Sequence, residues 1–537
     1  MIQNGAIFIG KLYQFNEDVF LVGVDLIPPQ TFQWINPEVH LTVVLEKNGN
    51  PILSGSAYVI SKKAENNFLF CYLKLINLNI QRFKAKKFRS LRTKIYPLPI
   101  ARFFNPFIEE YFELETYDIS GSGFSVKGGM KDICLPVGTI LSNVEIRFAD
   151  NYRISLNAQV VYRTIEKWKA EQENHKLAFA IIAIDLESHK NLLSMLHRAS
   201  DENLHFGELS STKKLWSFFF DSGFIYPEKY ALIQKNKRYI NQLYKTIYKK
   251  QNNIIRNFTY QKQGEIYGHM SILRFYDKSW MIQHHAAKKT SFQSGGIAVL
   301  NQIGRFINDS HRLYDAKMDY VFCYFRRDNK FPKRVFGGAS NQINDKKACS
   351  IDSLGYIHGY AAKNNTALPN RWELVKSSRK NLEDLEAYYE NNSGGLMLEA
   401  LELKPKKYEI VDVTNAYYQI GLKRKRELFS LKQDSIVKAI IVVNITDEGL
   451  NLSNLTKHIT VIILDSNNLK ENIFRAAVTF VQNSMNMINS PIMVYPLRFL
   501  ESNQIPYERL YNLWILNMNN TDSYFRYLKR LLRFIQH

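Results

Sequence analysis

The stretch Asp118-Ile-Ser-Gly-Ser-Gly123 has the form D-x-S-x-x-G and lies between two strand-like segments, Tyr111–Thr116 and Phe124–Lys127. Aspartate, serine and glycine are turn formers, so a β-turn accounts for part of the pattern. Upstream runs a basic segment, Lys86-Lys-Phe-Arg-Ser-Leu-Arg92, whose last arginine precedes Asp118 by 26 residues. An arginine fork grips a phosphate or a purine edge with two parallel hydrogen bonds, and its plane stacks on a base. Glycine tolerates positive φ and lets a ligand come close to the backbone. A turn of this kind beside a cluster of cations suits a flat, anionic ligand.

Turn and cations together resemble the PilZ domain, which binds the bacterial second messenger cyclic di-GMP. The resemblance implies a six-stranded antiparallel β-barrel with a terminal helix. It also implies a binding set of Lys86, Lys87, Arg89, Arg92, Asp118, Ser120 and Gly123. In that set Asp118 accepts from the guanine N–H groups and Ser120 donates to a phosphate. The family's cation pattern is R-x-x-x-R. Here Arg89 and Arg92 are spaced R-x-x-R, with Lys86 and Lys87 as neighbours. Lysine is a point charge and does not replace a bidentate fork.

The chain has 537 residues, which predicts three or four domains at about 150 residues each. Hydrophobic residues make up 45%, enough for buried cores and unlike a disordered composition. Net charge is +21, spread over runs such as Lys84–Arg92, Arg326–Arg334 and Lys423–Arg426. Each run alone reads as a solvated face; together they favour anionic partners. The four cysteines, Cys71, Cys134, Cys323 and Cys349, make no metal-binding spacing. No metal is expected, and neither is a transmembrane segment, since no apolar run reaches about 18 residues. With no signal-peptide pattern, a reducing cytoplasm is the expected location.

Residues 1–82 read as short apolar strands separated by Asn4-Gly5, Asn48-Gly49 and Pro28-Pro29, and are expected to form a small β-barrel or sandwich. Their position is similar to the β domain that precedes PilZ in flagellar-brake proteins. Residues 83–205 are the PilZ-like unit, closed by a helix over Glu187–Arg198. The texture then changes to α/β. A strand pair, Gly264–Arg274 and Lys278–Ala287, leads to Gln293-Ser-Gly-Gly-Ile-Ala298, then a helix over Val299–Ile307 and a strand over Met318–Phe325. Backbone N–H groups at a helix start attract a pyrophosphate, and glycine allows its approach.

The order strand, glycine-rich loop, helix, strand resembles the GNAT N-acetyltransferase fold, whose coenzyme A loop is Q/R-x-x-G-x-G/A. The resemblance implies that Gln293, Gly295, Gly296, Ile297 and Ala298 hold acetyl-CoA or another acyl-CoA. The expected GNAT-like domain is 210–380. Ser393-Gly-Gly echoes the loop, but it follows a helical segment and reads as a helix-to-helix turn. Strands at 435–444 and 458–465 and helices at 469–486 and 522–535 then predict a second, catalytically empty GNAT-like lobe over 381–537. The fold class is therefore multidomain: all-β first, then α/β in tandem.

A GNAT enzyme needs a base for the amine and an acid for the departing thiolate. His284 and His285, on the strand leading to the loop, are candidate bases, and a partly buried structural histidine is the competing reading. Tyr324 is the candidate acid, selected from 31 tyrosines. The sequence contains no H-E-x-x-H, G-x-S-x-G or Walker motif. The function expected is a cyclic di-GMP-binding regulatory protein whose sensor controls an acyltransferase module. The alternative is a non-enzymatic effector that acts through a protein partner. Nucleic acid ranks last among the anionic partners, because no RNA-binding motif is recognisable.

Overall fold

The computed structural model describes the chain except residues 17–18, 66–67, 79–87, 129–134, 169–171, 208–210, 226–229, 250–251, 290–293, 359–366, 407 and 537. Lys86, Lys87, Cys134 and Gln293 therefore lie outside the described residues. The chain divides into two compact units, one of Met1–Ser200 with Arg312–Asp315 and one of Asp201–His311 with Ala316–His537. The architecture is multidomain and mostly β, and it includes one closed six-stranded barrel. Among the described residues, no helix is long and apolar enough to cross a membrane.

The first unit opens with seven strands: β1 Ile2–Gln3, β2 Ala6–Ile7, β3 Ile9–Asn16, β4 Val19–Asp25, β5 Leu41–Lys47, β6 Asn50–Glu65 and β7 Phe68–Leu78. They pair in the order β2-β1-β5-β6-β7-β4-β3. A small β-barrel or sandwich is the expectation here; among the described residues the pairing makes a seven-stranded sheet with two ends rather than a closed barrel. Alternate residues of its strands, among them Phe20, Val22, Val24, Leu69, Cys71 and Leu73, form one buried core. The turns carry left-handed backbone at Asn4, Gly5, Asn48 and Gly49, as the Asn-Gly pairs require.

The barrel follows. Its strands are β8 Ile100–Asn105, β9 Glu110–Ser120, β10 Gly123–Gly128, β11 Ile140–Arg147, β12 Arg153–Trp168 and β13 Gln172–Ile184. They close in the order β10-β13-β12-β11-β8-β9, every pair antiparallel. Phe103, Phe124 and Phe179 are fully buried inside, with Phe124 stacked on Phe179 at 4.7 Å between centroids. Burying each such side chain contributes about 1.5–3 kcal/mol. Helix α1, Leu186–Ser200, ends the unit; it buries Leu192, Leu193 and Leu196 at helical spacing.

In the second unit one sheet holds twelve strands: β14 Leu204–Phe206, β15 Ile255–Lys262, β16 Glu265–Arg274, β17 Ser279–Ala287, β18 Tyr320–Arg326, β19 Cys349–Ile357, β20 Trp372–Lys376, β21 Arg424–Gln433, β22 Ile436–Thr446, β23 His458–Ile463, β24 Ile492–Tyr495 and β25 Arg509–Asn517. Their order is β14-β15-β16-β17-β18-β25-β19-β24-β23-β22-β21-β20. The same pattern occurs twice. Strands β14 to β17 pair antiparallel in sequence, and helix α2, Ser294–Ser310, crosses to β18, parallel to β17. Strands β20 to β23 do likewise, and helix α3, Glu471–Ser484, crosses to β24, parallel to β23. Each half then gives one strand to the centre, where β19 and β25 pair antiparallel. The topology is a pseudo-twofold repeat about that central pair.

One local expectation changes and another is met. Helix α2 starts at Ser294, so Gly295, Gly296, Ile297 and Ala298 form its first turn instead of a preceding loop. Ser393 and Gly394 form the expected helix-to-helix turn, with Gly394 at φ +64° and the Ser393 hydroxyl donating to Asp352 at 2.8 Å.

Candidate functional site

Two regions hold the residues singled out in the sequence, one in each unit. In the first, the turn between β9 and β10 sits at an end of the barrel. Ser120 is buried; its hydroxyl donates to the Gly123 carbonyl at 3.1 Å and accepts from the Ser122 N–H at 3.4 Å. The serine thus closes the turn. Neither Gly121 nor Gly123 has positive φ. Gly123 is needed for another reason: a Cβ there would lie 2.3 Å from the Phe179 carbonyl oxygen on the neighbouring strand β13 and 3.4 Å from Arg92 Nη2. His189 of α1 holds the turn from outside, its Nε2 2.8 Å from the Gly121 carbonyl oxygen.

The basic segment reaches this turn. Thr93 exchanges backbone hydrogen bonds with Ile119 of β9, at 2.8 and 3.0 Å. That short bridge lays Arg92 beside Asp118, and Arg92 Nη1 donates to Asp118 Oδ1 at 2.6 Å. Asp118 also accepts from the Ser125 hydroxyl at 2.7 Å and from Lys176 Nζ at 3.0 Å. Partial burial opposes ionisation of Asp118, but the hydrogen bonds from Arg92, Ser125 and Lys176 outweigh it and hold the carboxyl below its usual pKa. Arg89 is exposed on the same segment. Arg92, Asp118, Ser120 and Gly123 are thus brought together. Lys176 joins them from β13; its sequence surroundings form an ordinary strand pattern that carries no sign of this contact.

The second region is a cleft of about 830 Å³ in the twelve-stranded sheet. Strands β17 and β18 pair only at Ser279–Tyr320, Trp280–Val321 and Met281–Phe322, although both run several residues further. Beyond those pairs lies the cleft, lined by Gln283, His284 and His285 of β17, Tyr324 and Arg326 of β18, and Gly296 and Ile297 of α2. A bulge shapes the wall. Ser271 pairs with Gln283 and His269 with Ala286, so β17 carries one residue more than β16 across that step. His284 takes up the extra length with φ +55°.

The two histidines differ. His284 is buried, and burial with its neighbour His269 holds it neutral, well below the usual histidine pKa. Its Nε2 accepts from the Leu452 N–H at 3.1 Å. Beside it, Asn451 donates to Gln283 Oε1 at 2.9 Å, so a loop of the second half of the sheet anchors the bulge. His285 is only partly buried, with Nε2 3.3 Å from the Gly296 carbonyl oxygen. A carbonyl only accepts, so Nε2 carries the proton and Nδ1 the lone pair. Burial lowers the pKa of His285 and raises that of Tyr324 well above its usual value, which keeps the phenol protonated.

The two glycines let α2 approach the sheet. A Cβ on Gly295 would lie 2.7 Å from the Tyr267 carbonyl oxygen, and one on Gly296 3.1 Å from Ala287 Cβ. The β23–β24 pair of the second half does not part in this way: its four pairs run to Tyr495, the last residue of β24.

No family model matches the chain, and no curated protein matches it in sequence. Solved structures similar to part of it include the PilZ domain of YcgR from Escherichia coli with c-di-GMP, at 14% identity over 22% of this chain and 94% of that one, TM-score 0.20. The inhibitor of motility MotI/DgrA from Bacillus subtilis matches at 17% identity over 37% of this chain and 92% of that one, TM-score 0.18. A GCN5-related N-acetyltransferase from Sphaerobacter thermophilus matches at 8% identity over 59% of this chain and 96% of that one, TM-score 0.32.

Proposed function

We propose that the chain is a cyclic di-GMP effector whose barrel binds the nucleotide at the turn between β9 and β10. The observation that supports this most is the ion pair from Arg92 to Asp118, which brings the basic segment onto the D-x-S-x-x-G turn. An ionised carboxylate offers about four lone-pair positions. Arg92, Ser125 and Lys176 take three of those on Asp118. A guanine edge that donates two N–H groups must therefore displace one of them. Arg92 is the partner with somewhere else to go, because the ligand brings phosphates. Binding then exchanges Arg92 from Asp118 to a phosphate and gives Asp118 to the guanine. Arg89 extends the cationic side, Lys86 and Lys87 precede it in the sequence, and Ser120 and Gly123 set the turn against which the ligand rests.

Titration calorimetry with cyclic di-GMP tests this reading. Saturable binding is expected, and it is lost in Arg92→Ala and in Asp118→Ala. Binding that ignores both substitutions removes the site.

The second unit is proposed to be an acyltransferase-like module. The parting of β17 from β18 at the start of α2 supports this. The cleft receives an acyl-CoA, with its pyrophosphate against the first turn of α2, Gly295 to Ala298. Within it His285 is the base, through Nδ1, and Tyr324 the acid that protonates the leaving thiolate; His284 positions the strand. Acetyl-CoA is expected to raise the melting temperature of the protein, and Gly296→Glu to abolish that shift. No shift, with cyclic di-GMP binding intact, favours the non-enzymatic effector that acts through a protein partner.

A further inference from the structure

The seven-stranded sheet of the first unit has two faces. Ala57 and Val59 of β6 and Leu69, Cys71 and Leu73 of β7 point into its core. The residues between them point the other way. On that outer face Tyr13, Tyr58, Ile60, Phe68, Tyr72 and Ile76 each keep at least 36% of their surface exposed. More than half of the large apolar side chains that are exposed among the described residues fall between Met1 and Leu78. Scattered exposed apolar residues are ordinary; a run of them on one face marks a place where something docks.

The face has a definite shape. Tyr72 stands opposite Leu21 of β4 and Ser61 of β6, and Ile60 beside them is the unpaired residue of a bulge. Gly23 of β4 lets the Tyr13 ring lie across the sheet. A Cβ there would lie 2.5 Å from Tyr13 Cε2, and the ring meets Phe70 edge-on at 5.3 Å between centroids. Strands lie about 4.8 Å apart and rise about 3.3 Å per residue, so β3, β4, β6 and β7 over the length Phe68–Ile76 span roughly 500 Å² in projection. Two such faces together hide about 1,000 Å² or more, which reaches the size of a specific interface.

Charge points to the occupant. The chain carries a net +21, yet by strand register this face carries both signs: Lys11, Lys63 and Lys74 with Asp25 and Glu65. Lys63 and Glu65 pair with each other. A polyanion or an anionic lipid surface calls for an excess of cations. A mixed, largely apolar face suits a surface of its own composition. We propose that the outer face packs against its equivalent in a second copy of the chain, sheet on sheet about a two-fold axis. Tyr72, midway between Phe68 and Ile76 on β7, is an anchor of that contact, with Ile60 next to it.

Sedimentation equilibrium of the full chain across the micromolar range tests this. The mass is expected to rise with concentration from one chain towards two. Ile60→Glu/Tyr72→Glu places two charges on the face and should weaken the association about tenfold or more. Both positions are exposed, so its melting temperature in dilute solution should match that of the unaltered protein. Tyr418→Glu, at an exposed apolar position of the second unit, should associate as the unaltered protein does. A single chain at every concentration overturns the proposal, and so does a dimer that the double variant leaves intact. Co-sedimentation with phosphatidylserine vesicles, or capture of a single-stranded oligonucleotide, by a chain that stays single and in a manner the double variant loses, would assign the face to lipid or nucleic acid instead and overturn it too.

Discussion

At Asp118, one carboxylate gathers an arginine from the basic segment, a serine from β10 and a lysine from β13. Its lowered pKa fixes the sign of a pH effect. The stabilisation it contributes is complete above the ordinary carboxylate range, about pH 4, and is lost as pH falls through the lower folded value. Asp118→Asn should therefore reduce the urea midpoint at neutral pH, by about 1–3 kcal/mol equivalent, and the gap to the unaltered protein should begin to narrow below about pH 4 and close only below the lower folded value. A gap that does not narrow at all as pH falls from about 7 through about 4 and onward into the acid range would show that the carboxylate's charge does not matter there. The Asp118, Ser120 and Gly123 positions were legible in the sequence because turn chemistry is local. Lys176 was not, because its approach depends on the register of β13 against β10, 58 residues away in the chain. The pair His284 and His285 shows the same limit: adjacent letters, yet the bulge sends one into the core and the other to the cleft.

Among the elements, the β9 bulge, where Tyr117 is left unpaired between the Thr116–Val126 and Asp118–Ser125 pairs, and the start of α2 shape the two candidate regions. The alternating patterns of β11, β12 and β13 were readable, and so was the closing helix α1. The bulge at Tyr117 was not, since one unpaired residue leaves the apolar periodicity of so short a strand nearly unchanged. The start of α2 was placed five residues late, because Gly295 and Gly296 weaken a helix intrinsically. The packing overrides that: only glycine at 295 lets the helix rest against the β16 backbone. Gly295→Ala should accordingly destabilise the protein by about 1–3 kcal/mol, measured by denaturant unfolding, despite alanine's better helix propensity. A neutral or stabilising result would mean that the contact with Tyr267 yields easily and that the glycine serves the cleft instead.

Across the whole molecule, the chain joins a barrel with a cation-lined turn to a sheet whose topology repeats about β19 and β25. The tandem α/β character was visible from the strand and helix patterns. The repeat itself was obscured, because the Ser393-Gly-Gly echo falls at a helix-to-helix turn while the counterpart of α2 is α3, Glu471–Ser484. If the first unit regulates the second, their ligands are thermodynamically linked. Saturating cyclic di-GMP should then change the acetyl-CoA affinity by about fivefold or more, and acetyl-CoA should change the cyclic di-GMP affinity by the same factor. Equal affinities in both experiments would mean two independent modules. The claim beneath all of this is that the β9–β10 turn receives the nucleotide. A crystal structure of the protein with cyclic di-GMP tests it most directly. The account predicts a guanine edge on Asp118 and Arg92 moved onto a phosphate; nucleotide bound elsewhere, with the Arg92–Asp118 pair intact, would contradict it.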